Sequence, residues 1–222
     1  MNFNNLYKGK RIIVIGASRS TICDMKRLGV DLADYDMVVK VNHHWANIQE
    51  EEFKRTDAVY HGLRPEMLSP RQIKLIAQEN FFVVTRPIKP TSSRFRRARM
   101  LGYRERRKRG FNKIKSLGVP IETISGGFYE NISKQLGGLP LMGVLAILHI
   151  AKFNPKRLDC FGFDFYKSKY FPSKRRVKLR PSIPSSGGVH KLGLQKKRFL
   201  KMISEIECIN MYNEASDLYV QP

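Results

Sequence analysis

Short apolar runs rich in β-branched residues, each followed by a stretch of helical character, recur along the whole chain, and this alternation is what most limits the fold. RIIVI at 11–15 carries four consecutive branched aliphatic residues and stops at Gly16, the form of a strand buried on both faces. A helix reaching Leu28 is expected after it. DMVVKVN at 36–42 and DAVYH at 57–61 read as the second and third strands, separated by a helical segment that starts near Trp45, and FFVV at 81–84 reads as the fourth. VPIETI at 119–124 gives a fifth, RLDCFGFDF at 157–165 a sixth that runs into a loop, and ECINM at 207–211 a seventh. A helix at 141–152, apolar nearly all round and hence deeply buried, precedes the sixth strand, and another at 191–203 precedes the seventh. Strands alternating with helices require a mostly parallel sheet with helices on both faces, an α/β, Rossmann-like architecture. No repeat or linker divides it, so residues 1–222 are read as a single domain, long enough for a real core.

Charge is the second constraint. Lys plus Arg number 41 and Asp plus Glu 19, a formal charge of +22. Much of the excess lies in a basic excursion at 91–118, where eleven basic residues between Arg94 and Lys115 face Glu105 alone. Such a run is either a solvated helical face, a mobile excursion or a contact for a polyanion: nucleic acid, an anionic membrane surface, or an acidic glycan or nucleotide. A second basic stretch, KSKYFPSKRRVKLRPSIPSSGGV at 167–189, lacks apolar periodicity and is read as a flexible lid. Cys23, Cys160 and Cys208 form no CxxC or Cys/His cluster and are expected to be reduced core thiols. No apolar run approaches the roughly 20 residues of a bilayer span, and MNFNNLYKGK lacks the apolar core of a secretory signal. The expectation is a cytoplasmic protein, with peripheral contact to an anionic membrane ranked ahead of nucleic acid.

Ligands of open α/β sheets bind beyond the carboxyl ends of the strands, where strand order reverses. After the first strand stand Gly16, Ala17 and Ser18, with a helix start able to face an anion, although neither GxGxxG nor a P-loop is present. After the second come Asn42, His43, His44 and Trp45, able to hydrogen-bond or stack on a nucleoside. Neighbouring side chains of a strand point to opposite faces, which argues against both histidines serving one metal. Asp34-Tyr35-Asp36 has the form of an acidic metal-holding triplet, yet it precedes its strand and so falls at the wrong end of the sheet, where a turn or cap is the better reading. After the sixth strand come Gly162, Phe163, Asp164, Phe165, Tyr166 and Tyr170, whose phenols could donate to a phosphate or simply pack. His190 ends the basic lid directly before a helix, a place that suits a general base.

Taken in order, the GAS of 16–18, the D-x-V-x-K-x-N of 36–42, the P-x-x-G of 140–143 opening a buried helix, the GFDFY of 162–166 and His190 with its helix resemble the sialyltransferases. The chain is similar to the eukaryotic class (glycosyltransferase family 29) around 36–42 and 140–143, and to a bacterial class (family 42) at GFDFY, the basic lid and His190. The resemblance implies a variant of the GT-A-like sialyltransferase fold. It implies an inverting transfer of sialic acid, or a related acidic sugar such as Kdo, from a CMP-sugar donor to a glycan or glycolipid acceptor, with no metal and no other cofactor. It implies His190 as general base and Tyr166, less securely joined by Tyr170, at the leaving phosphate. It places Asn42 and the backbone of Gly16, Ser18 and Gly143 around the nucleotide, with Ala17, Leu141, Met142, Gly162 and Asp164 beside them. Ala17 replaces the usual asparagine, Leu141 and Met142 replace small hydroxyl residues, and Gln195 stands where the eukaryotic class has a glutamate. Several side-chain contacts to the nucleotide are therefore expected to be missing.

Overall fold

The computed structural model describes residues 2–18, 20–42, 48, 50–63, 81–88, 98–163, 165 and 192–212. Seven strands, β1 (Arg11–Ile15), β2 (Met37–Val41), β3 (Ala58–Tyr60), β4 (Phe82–Thr85), β5 (Ile121–Thr123), β6 (Arg157–Phe161) and β7 (Ile209–Tyr212), form one sheet. Its order is β5-β4-β3-β2-β1-β6-β7, and every neighbouring pair is parallel. The chain steps outward from β1 to β5, then returns to place β6 on the other side of β1, so strand order reverses between β1 and β6. This is the expected α/β, Rossmann-like sheet.

Helices α1 (Phe3–Tyr7), α2 (Thr21–Arg27), α3 (Ala98–Ser116), α4 (Gly126–Leu136), α5 (Met142–Ala151) and α6 (Leu192–Ile203) cover it. The two-residue period of the strands sorts the core. Ile12, Val14, Val39, Tyr60, Val84, Leu158 and Met211 face α4, α5 and α6, whereas Ile13, Ile15, Val38 and Phe161 face Ile22 and Met25 of α2. Val59 and Val83 carry that second face on to Ile114 of α3. Because both faces are covered, β1 and β2 are apolar at nearly every position. Helix α5 is buried from Val144 to Ala151, which is why its sequence is apolar all round.

Two expectations need amendment. The sixth strand ends at Phe161 rather than 165, because Gly162 takes φ +78° and turns the chain. Of the cysteines only Cys160 is a core thiol, Cys208 being half-buried and Cys23 exposed on α2. Of the basic excursion, 98–116 is the helix α3, and over 105–116 its outer side is solvated while Arg107 points inward.

Among the described residues no helix is long and apolar enough to cross a membrane.

Candidate functional site at the carboxyl ends of the strands

At the β1/β6 reversal the two backbones touch. The Gly16 amide donates to Phe161 O at 2.7 Å, and the Ser18 amide to Gly162 O at 3.2 Å. A Cβ on Gly16 would overlap the Gly162 carbonyl, and one on Gly162 would overlap Thr21 Oγ1. Glycine at both places is thus a steric requirement that keeps the crevice floor free of side chains. Ser18 is buried, its carbonyl accepting from Thr21 Oγ1 at 2.7 Å, and Ala17 is half-buried between them. The amides of Gly16, Ser18 and Thr21 are all engaged within the protein.

Replacing Gly16 by Ala is expected to cost about 2–3 kcal/mol, since the methyl group meets rigid backbone rather than a flexible side-chain end. Gly127→Ala, at a helical position with nothing near its Cβ, should be neutral or stabilising by up to about 1 kcal/mol. Urea unfolding of the two variants compares them directly, and equal costs would contradict the close approach.

Helix α5 begins beside this floor. Its N-cap, Leu141, makes no side-chain capping bond, and Met142 and Gly143 are half-buried in the first turn. Phe163 lies over Gly143, where a Cβ would overlap its ring. Asn42 closes the next strand end at φ +59°, a left-handed conformation that asparagine tolerates. Its Oδ1 accepts from the Gly62 amide at 3.3 Å, leaving the NH2 half of the side chain to address a ligand. Gly16, Ser18, Gly143 and Gly162 are thus brought together at the reversal, with Asn42 one strand away. Asp164, Tyr166, Tyr170 and His190 lie outside the described residues, as do His43, His44 and Trp45.

Three residues to which the sequence assigned no such role organise the site's surroundings. Arg107, buried on the inner side of α3, donates to Arg86 O at 2.7 Å, Pro87 O at 2.9 Å, Gly62 O at 3.3 Å and Thr85 Oγ1 at 3.3 Å. One guanidinium thereby fastens the chain beyond β3 to that beyond β4. His61, also buried, accepts at Nδ1 from the Leu63 amide at 2.9 Å, which occupies that nitrogen. Gln195 on α6, fully buried, donates to Leu139 O at 2.8 Å and so ties the helix that follows His190 to the turn that opens α5.

The amino ends of the strands are built differently. Asp36 Oδ2 accepts from the Arg11 amide at 2.7 Å, a bond that holds its carboxyl below the usual range. Asp31 caps the 3-10 turn that contains Asp34, and Tyr35 donates to the buried Asp159 at 2.6 Å. The acidic triplet is therefore turn and network, remote from the crevice. No cluster of three or more His, Cys, Asp or Glu able to hold a metal occurs among the described residues. A cavity of about 570 Å³ lies at this same end, lined by Ile132, Leu148, Ala151, Lys152, Met202 and Ile206, and none of the candidate site residues borders it.

The fold is similar to that of a mammalian sialyltransferase solved in complex with Gal-β-1,3-GalNAc-ortho-nitrophenol, at 14% identity and a TM-score of 0.52 over 94% of this chain and 71% of that one. It is similar to the monofunctional α-2,3-sialyltransferase Cst-I from Campylobacter jejuni, at 12% identity and a TM-score of 0.56 over 93% and 77%. A third likeness is to the sialyltransferase CstII from the same organism in complex with cytidine-5'-monophosphate, at 12% identity and a TM-score of 0.51 over 95% and 83%. At such identities the common property is the fold. No family model and no curated protein matches the sequence.

Proposed function

We propose that the chain is a CMP-sugar-dependent glycosyltransferase of sialyltransferase type, passing sialic acid or a related acidic sugar to a glycan or glycolipid. The observation that carries this reading is the contact of Gly16 with Gly162 at the strand-order reversal, beside the uncapped start of α5, in a fold like that of a protein solved with CMP. A floor free of side chains, next to a helix start that has no side-chain cap among the described residues, suits a nucleoside monophosphate, whose phosphate carries the charge.

In this reading Asn42 and the backbone around Gly16, Ser18 and Gly143 hold the nucleotide, and Ala17, Leu141, Met142, Gly162 and Asp164 shape its surroundings. His190 takes the proton of the acceptor hydroxyl as that oxygen attacks the anomeric carbon. The bond from that carbon to the phosphate oxygen breaks on the opposite side, which inverts the centre and releases CMP. Tyr166 and Tyr170 donate to the leaving phosphate, and no metal is needed because hydroxyl donors and nearby cations meet its charge.

A thermal-shift series tests the nucleotide. CMP at 100 times its dissociation constant should stabilise the fold by about 2.7 kcal/mol, and UDP, CDP and NAD at the same concentration by far less. Transfer from a CMP-sugar to a glycan mixture should persist in EDTA. Equal shifts for all four nucleotides would remove the donor assignment, and activity restored only by added manganese or magnesium would remove metal independence.

A further inference from the structure

We propose that the outer side of α3, together with Leu117, docks on an anionic lipid bilayer. The 19 residues of α3 contain eight basic residues and one acidic one, Glu105. At 3.6 residues per turn, Arg107, Gly110 and Ile114 share the buried side, with Phe111 half-buried beside them against Val59, Val83 and Val119. Arg109 stands on the opposite side, flanked by Lys113 on one hand and by Lys108 and Lys115 on the other, and all four are exposed. These cations therefore spread across the outward half of a helix laid against a sheet face, rather than along a single seam.

Leu117 follows directly at the end of the helix and is 37% exposed, and it and Leu28 are the large hydrophobic residues exposed among those described. Headgroup phosphates and carboxylates answer the cations, and the acyl boundary beneath them accepts a leucine. A nucleic acid offers the cations the same phosphates but gives Leu117 nothing. To enter a major groove about 8.5 Å deep a helix must also stand proud of its domain, whereas α3 is packed against the sheet through Ile114. Because α3 covers one face of the sheet, a bilayer against it runs alongside the sheet, and the carboxyl-end crevice opens along the membrane rather than away from it. The proposal does not rest on the enzymatic reading.

Co-sedimentation of the full chain with vesicles of phosphatidylcholine, or of phosphatidylcholine with 30% phosphatidylserine, tests it. Binding should require the anionic lipid and weaken as salt rises. Changing Lys108, Arg109, Lys113 and Lys115 together to Gln should reduce partitioning by about 10²-fold or more, each cation near such a surface being worth roughly fivefold. A control with Lys8, Lys134, Lys197 and Lys201 changed to Gln, exposed positions on α4, α6 and beside α1, should keep most of the binding. Leu117→Ser should lower binding several-fold, including at a salt concentration that suppresses the charge contribution. Thermal melts of each variant check that the fold is intact. Equal losses in the control and the α3 variant would overturn the proposal, as would indifference to phosphatidylserine, or duplex DNA that binds with the same α3 dependence and displaces the vesicles.

Discussion

Changing His190 to Ala is expected to slow single-turnover transfer by about 10²- to 10⁴-fold, the usual worth of a general base, while CMP affinity stays within about twofold. The split follows from the division of labour in the proposed reaction: the imidazole takes its proton from the acceptor, and the nucleotide is held elsewhere. His190 stands two residues before α6, and α6 is tied through Gln195 to Leu139, just before the start of α5. The helix that follows His190 in the sequence is thus tied to the start of α5 by a hydrogen bond that does not involve His190 itself. A general base works in its neutral, proton-accepting form. The rate should therefore rise with pH through the titration of this group, and that limb should vanish in the mutant. Of the other histidines, His61 has Nδ1 occupied by the Leu63 amide, and His149 is buried on α5 against the aromatic residues of α1. If His190→Ala keeps full activity and the same pH profile, His43 and His44 become the places to look.

Why some of this was readable in the sequence and some was not comes down to range. RIIVI and MVVKV announce themselves because strands covered on both faces need apolar residues at nearly every position, and Gly16 marks where the first one stops. The helix α4 carries its own punctuation too, Ser125 capping it by accepting from the Phe128 amide and Gly137 ending it at φ +72°. It is nevertheless absent from the elements expected of the sequence. The clamp made by Arg107 could not be read: it is one of eight cations on α3, and only the i, i+3, i+7 spacing with Gly110 and Ile114 places it inward. Gln195 drew notice as a departure from a family pattern, but its partner Leu139 lies 56 residues away, and nothing local joins them. The contact of Gly16 with Gly162 is of the same kind. Each glycine looks like an ordinary turn, and the need for both appears only when the β1/β6 pairing is known.

Acid should destabilise this protein through His149 before its carboxylates are titrated. Burial among apolar rings, reinforced by Lys152, pushes the His149 imidazole down to about 3. Phe3, Phe128 and Phe153 lie within 4.8–5.4 Å of the imidazole, ring centre to ring centre, and Lys152 Nζ sits 5.1 Å over both Phe128 and Phe153. Its polar contact is Nδ1 with the Tyr60 hydroxyl at 2.7 Å, which in turn meets the Tyr7 hydroxyl at 3.1 Å. Burial holds both phenols above their ordinary range, so neither supplies a negative charge to balance an imidazolium. What protonation costs is thus a buried cation rather than a lost hydrogen bond. The unfolded chain takes up this proton near pH 6.5 and the folded chain only near 3, so between those values the unfolded state binds more protons and stability falls as pH falls. The slope for one such group is about 1.4 kcal/mol per pH unit, or roughly 2 kcal/mol lost by pH 5. His149→Gln keeps a neutral acceptor for Tyr60 and removes the titration. It should cost some stability at pH 7.5 and flatten the dependence between pH 6.5 and 5, a window above the range of ordinary carboxylates. Urea unfolding of both proteins at half-unit steps measures the difference, and parallel curves would mean that His149 is protonated in the fold as easily as in the open chain.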